Sequence, residues 1–191
     1  MNKRPIVVIA STRSGSSAFA SYLGKLHDIK VWMEPSYTEG GFNSFRRYLV
    51  SENNNYVLKV ISWQILNNKI YQTILASNCY KIKLTRSNKI EQIASHYIGE
   101  CTNIWNSTDQ YARGIEYTVP VDLKLINSII NVVVANDRLF DSFDINFDET
   151  LTYEKLINTV NLSNTGMAKI IPPINYDEIR AVIEEEYAKY R

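Results

Sequence analysis

Short apolar runs alternate with longer stretches of helical periodicity along the chain. Ile6-Val7-Val8-Ile9, within Pro5 to Ala10, is an unbroken β-branched run, the pattern of a strand buried on both faces. A Ser/Gly-rich turn follows it, and a helix is expected from about Ser16 to Leu26. Lys30 to Met33 reads as a short extended piece, and Phe42 to Val50 as a helix with Phe42, Phe45 and Leu49 on one face. Tyr56 to Ile61 is a second buried strand, followed by a helix through Ile65, Leu66, Ile70 and Ile74. Tyr80 to Thr85 reads as a strand. Asn88 to Ile104 predicts a long helix with Ile90, Ile93, Ala94, Tyr97, Ile98 and Cys101 at helical spacing. Val121 to Phe140 predicts a second long helix, with Pro120 suited to its start, and the segments Leu151 to Thr159 and Tyr176 to Tyr190 complete the set. Strands alternating with helices of this length imply βαβ units and a mostly parallel sheet. No repeat and no polar linker divides the pattern, so one α/β domain over residues 1–191 is expected.

Composition narrows the class. The chain is 45% hydrophobic and 21% charged with a net charge of +1, an ordinary globular balance that gives no case for a nucleic-acid binder. No apolar run approaches the ~18 residues of a membrane span, and the basic start Met1-Asn2-Lys3-Arg4 leads into a strand, not a signal peptide. Cys79 and Cys101 form no disulfide framework and no C-x-x-C pair, and a cytoplasmic protein is expected. Cys79 precedes Arg86 by one residue more than a phosphatase loop requires, which favours a buried structural cysteine. Charge is uneven along the chain. Residues 1–95 hold 13 Lys/Arg against 5 Asp/Glu, a net of +8, and residues 96–191 hold 8 against 15, a net of −7. That asymmetry suggests either an anionic ligand on the first half or no more than a solvated surface.

Ser11-Thr12-Arg13-Ser14-Gly15-Ser16-Ser17, between the first strand and first helix, carries the sharpest local signal. Ligands of open α/β sheets bind beyond the carboxyl ends of the strands, where helix N-terminal amides favour anions. Gly15 would let the backbone approach an anion, Ser14, Ser16 and Ser17 would add hydroxyl donors, and Arg13 a forked cation. Helix capping alone does not call for so many hydroxyls beside an arginine. The loop lacks the Gly-Lys pair of a Walker A motif, which argues against ATP or GTP hydrolysis.

Thr12 to Ser17 resembles the 5′-phosphosulfate loop of P-loop sulfotransferases, which use 3′-phosphoadenosine 5′-phosphosulfate (PAPS); Thr12 stands where the family has proline. Leu84, Arg86, Lys89, Gln92 and Ser95 match the L-x-R-x-x-K-x-x-Q-x-x-S element of the bacterial trehalose 2-sulfotransferase branch. Leu58 to Trp63 resembles its G-x-K-x-x-W strand, with Leu58 in place of glycine and Lys59 one position ahead of the motif's lysine. Leu151 to Leu156 resembles its late x-x-Y-E-D-L element, with Lys155 in place of aspartate. The resemblance implies a P-loop-like three-layer fold with a central, mostly parallel sheet flanked by helices. It also implies transfer of a sulfuryl group from PAPS, as co-substrate and without a metal, to a hydroxyl of a small acceptor, a carbohydrate among the candidates. Arg13, Ser14, Gly15, Ser16 and Ser17 would then hold the 5′-phosphate side, and Arg86, Gln92 and Ser95 the 3′-phosphate side, with Arg86 and Ser95 sharing the terminal phosphate.

By order along the chain, Glu34 in Trp32-Met33-Glu34-Pro35 matches the glutamate that branch uses as base, with His27 and His96 as rivals. Lys59 would support the bridging oxygen, and Arg13 the charge on the leaving phosphate. Ser36 to Asn55, with Tyr37, Phe42, Phe45, Tyr48, Arg46 and Arg47, is the candidate acceptor wall or equally a core-facing helix. A non-catalytic nucleotide- or phosphate-binding module on the same scaffold, and a small-molecule kinase, stay open as other readings.

Overall fold

The computed structural model describes residues 4–34, 56–66, 68–105, 116–160 and 171–190. In chain order the elements are β1 (Ile6–Ala10), α1 (Ser16–His27), β2 (Lys30–Met33), β3 (Tyr56–Ile61), a 3-10 turn (Ser62–Leu66) and α2 (Asn68–Ala76). There follow β4 (Tyr80–Thr85), α3 (Lys89–Thr102), α4 (Leu123–Ser142), β5 (Glu149–Thr152), α5 (Tyr153–Thr159) and α6 (Tyr176–Ala188). The five strands pair in the order β2-β3-β1-β4-β5, every neighbouring pair parallel.

Period-two alternation in β1 divides the core. Val8 and Ala10 pack with Phe19, Ala20 and Leu23 of α1 and Leu156 of α5. Val7 and Ile9 face the other way, with Ile65, Ile70 and Ile74 around α2 and Phe140 of α4. Helices therefore cover both faces of the sheet, the three-layer α/β arrangement expected from the run Ile6 to Ile9. Each of these buried aliphatic side chains contributes roughly 1.5–3 kcal/mol over an exposed one. A third cluster joins helices to one another, with Ile93, Ala94 and Tyr97 of α3 against Ile126, Ile129 and Ile130 of α4 and Ile179 and Ile183 of α6.

Three boundaries differ from the sequence reading. Leu151 to Thr159 divides into the end of strand β5 and the whole of α5, because Thr152 caps the helix by accepting from the Lys155 amide. The stretch from Ile65 to Ile74 divides into the 3-10 turn and α2. Pro120 lies outside α4, whose cap is Asp122, accepting from the Lys124 and Leu125 amides. Cys79 is buried as expected, at the entry to β4. Phe42 to Val50 lies outside the described residues. Among the described residues no helix is long and apolar enough to cross a membrane.

Strand order also fixes where a ligand could sit. β1 and β4 are neighbours, yet the chain leaves β1 toward β2 and leaves β4 toward β5. The carboxyl ends of β1 and β4 thus flank a topological switch point, the usual ligand crevice of an open α/β sheet.

Candidate anion-binding site

The loop after β1 is tied down from three directions. The Ser11 amide donates to the Leu84 carbonyl at 3.0 Å, continuing the β1–β4 pairing one residue further. Ser14 is fully buried and its hydroxyl donates back to the Ser11 carbonyl at 2.7 Å. Gln92 of α3, also buried, donates to the Thr12 carbonyl at 2.6 Å and lies 3.4 Å from the Ser11 hydroxyl. Its own carbonyl accepts from Lys89 at 3.1 Å, and Lys89 pairs with Asp137 of α4 at 2.6 Å. The loop backbone turns through two left-handed residues, Arg13 at φ 57° and Gly15 at φ 73°. A non-glycine residue held there stores roughly 1–3 kcal/mol, so the surrounding bonds hold Arg13 in a strained position.

Arg13 reaches across to α3. Its Nε and Nη2 donate to the Ser95 hydroxyl at 3.0 and 2.8 Å, and its Nη1 to the Trp105 carbonyl at 2.9 Å. The guanidinium carbon lies 5.5 Å from the centroid of the Trp105 ring. Among the described residues no carboxylate pairs with it. Burial, and then the neighbouring Arg86 charge, lower its pKa to about 10, so it stays protonated at neutral pH. Arg86 donates from Nη1 to the Arg13 carbonyl at 3.3 Å, stacks over the Tyr153 ring at 4.9 Å and stands 3.8 Å from Glu91. Among the described residues its Nε is buried without a partner, as is the hydroxyl of Thr12.

A second group joins β2, β3 and α1. Glu34 follows β2 in a left-handed conformation (φ 49°), and its amide donates to the Lys59 carbonyl at 2.9 Å. The Lys59 ammonium, 3% exposed in mid-strand, pairs with the Glu34 carboxylate and contacts the Ser17 hydroxyl at 3.3 Å. Burial lowers the Lys59 pKa, Glu34 raises it back in part, and Arg13 lowers it further, so the two groups share one electrostatic field.

The structure thus brings Arg13, Gln92, Ser95 and Arg86 together, and separately Glu34, Lys59 and Ser17. Several of them have partners that the sequence did not show. Ser95 accepts from Arg13. The Ser14 hydroxyl is spent inside the loop and Ser16 is buried, which leaves Ser17 as the least enclosed hydroxyl of the three. Gln92 holds the loop carbonyl. Gly15 is explained by its φ and by packing, since a Cβ there would lie 2.5 Å from the Tyr153 ring. Lys59 sits within β3, not at its end.

His27 ends α1, opposite the helix end that carries Ser16. The axial rise places it about 16 Å from the site, so it is no base for it. His96 stacks edge-on against Trp105 at 6.0 Å and stands 3.5 Å from Glu100, with Nδ1 buried and unpartnered among the described residues and its pKa lowered by burial.

Two residues escaped the sequence reading. Tyr153 packs on Gly15 and beneath Arg86, while Glu154 accepts from the Ser87 and Asn88 amides at 3.0 Å each, fixing the loop between β4 and α3. Their signal was the Tyr-Glu pair of the late element, read there only as a resemblance.

No family model matches the chain, and no curated protein matches it. Among solved structures it is similar to an uncharacterized protein from Eubacterium ventriosum, at 9% identity and TM-score 0.45, over 97% of this chain and 99% of that one. It is also similar to APE1195, at 10% identity and TM-score 0.42, over 95% and 97% of the two chains.

Proposed function

We propose that this chain is a sulfotransferase that moves a sulfuryl group from PAPS to a hydroxyl of a small acceptor, a carbohydrate being the candidate. The observation that supports it best is Arg13. This desolvated guanidinium lies at the switch point beside a second arginine, bonded only to neutral oxygens among the described residues. A bound anion would supply the missing counter-charge. Thr12 Oγ and Arg86 Nε are buried polar atoms without partners among the described residues, as a site built for further oxygen ligands would have.

In this reading the donor supplies an activated sulfuryl group, and the chain's own residues orient it and manage charge. Arg13 and the amides that open α1 face the 5′-phosphate that leaves, and Arg86 the 3′-phosphate. Glu34 takes the acceptor's proton as the bond from the acceptor oxygen to sulfur forms and the bond from sulfur to the 5′-phosphate oxygen breaks. Lys59, between Glu34 and Ser17, spans the base and the donor loop.

The test is incubation with radiolabelled PAPS and a panel of sugars, with EDTA present. Label should pass to a sugar hydroxyl, and turnover should survive chelation. Nucleotide binding without transfer to any acceptor would favour the non-catalytic module. Turnover dependent on ATP and magnesium would move the assignment to phosphoryl transfer.

A further inference from the structure

Glu91, in the first turn of α3, is shared among three partners. The Tyr176 hydroxyl donates to its Oε2 at 2.6 Å, the Arg180 Nε stands 3.3 Å from its Oε1, and the Arg86 Nη2 stands 3.8 Å from Oε2. Tyr176 and Arg180 belong to α6, which is anchored by the buried Ile179 and Ile183 against Ile93 and Ala94 of α3. Helix α6 therefore engages both oxygens of a carboxylate that stands 3.8 Å from Arg86. Burial, and then the bond to Glu91, push the Tyr176 phenol far above its ordinary range, so it remains a donor. With Oε2 already taken at 2.6 Å, Arg86 is left beyond hydrogen-bond range of Glu91. Its Nε carries no partner among the described residues.

We infer that Tyr176 is a positioning residue for the anion site. By occupying Glu91 Oε2, with Arg180 at Oε1, it keeps Arg86 out of a closed ion pair and leaves the guanidinium available to a phosphate. The inference rests on the anion-site reading of Arg86 and does not require the anion to belong to PAPS. Without the phenol, Arg86 would close on Glu91, and a phosphate would have to compete with a carboxylate on the protein itself.

The probe is inorganic phosphate, titrated calorimetrically into the full chain. Tyr176→Phe should weaken phosphate binding about two- to fivefold, the worth of one ion pair at a partly exposed site. Arg180→Ala should act in the same direction by a smaller factor. Because its side chain is 45% exposed, that variant tests the idea even if Tyr176→Phe folds poorly. Adding Glu91→Gln to either variant should restore the affinity, since position 91 then carries no charge to capture Arg86. A purely structural hydrogen bond predicts lower stability in urea with unchanged phosphate affinity and no rescue, and that result would overturn the inference. So would a parent protein that binds no phosphate. A parent that binds phosphate but does not prefer a 3′-phosphorylated nucleotide would remove the sulfotransferase reading, leaving the phosphate arm to judge Tyr176 by itself.

Discussion

Lys59 and Glu34 form an acid–base pair at the candidate site, and their unequal burial sets what each substitution should do. The Lys59 side chain is 4% exposed and that of Glu34 28%. Glu34→Gln strands a buried ammonium, so it should cost about 1–3 kcal/mol of stability, less than the ~3–5 of a fully buried pair. It should also cut sulfuryl transfer by two to four orders of magnitude, roughly the worth of a general base, with nucleotide affinity changed by about threefold or less. Lys59→Met replaces the buried charge with a chain of similar volume and leaves Glu34 open to water. It should be within about 1 kcal/mol of the parent in stability while still losing turnover. Urea unfolding and single-turnover transfer, run on both variants, separate the effects. Glu34→Gln at the parent rate would remove Glu34 as the base, with His96 the remaining histidine within the site's field.

At the scale of elements, the buried strands and long helices were legible and the edge was not. β1 and β3 announce themselves because strands covered on both faces need unbroken apolar runs, and α3 and α4 because their apolar positions recur at helical spacing. β5 carries one buried apolar side chain, Leu151, in an edge strand paired only with β4, so its pattern is too thin to read. The site was half legible for a related reason. Spacing along α3 put Gln92 and Ser95 on one face, but it could not show that Arg13, 82 residues away, takes the Ser95 hydroxyl. Nor could it show that Tyr153 fills the space beside Gly15.

Glu154, the first-turn acid of α5, offers a test of the clamp at this scale. Burial opposes its charge, but the Asn88 and Ser87 amides and then Arg86 outweigh that, holding its carboxyl below the ordinary 4.5. A depressed carboxyl contributes stability that is present above the unfolded value and lost as pH falls through the folded one. Glu154→Gln should therefore cost about 0.5–1 kcal/mol near neutrality, discounted for its exposure, and the gap should close below about pH 4.5. Urea melts of parent and variant at both ends of that range check it. A gap that persists unchanged in acid would mean that the ionised carboxylate is not what holds the loop.

Across the described residues, part of the charge asymmetry between the two halves of the chain is internal pairing. Arg4 meets Asp148, Lys83 meets Asp141 and Lys89 meets Asp137, cations of the basic half matched to acids of the other. Arg13 stands outside that exchange among the described residues. The site's claim on an anion therefore rests on one desolvated arginine and its neighbour Arg86, not on a general positive surface. A ligand present at a hundred times its Kd would add roughly 2.7 kcal/mol to the folded state. The most direct measurement is calorimetric titration of 3′-phosphoadenosine 5′-phosphate and adenosine 5′-phosphate into the parent protein and Arg13→Ala. The 3′-phosphorylated nucleotide should bind the parent about tenfold or more tightly than its counterpart, and Arg13→Ala should weaken both. Equal affinities for the two nucleotides, or an Arg13→Ala variant that binds as the parent does, would contradict the account.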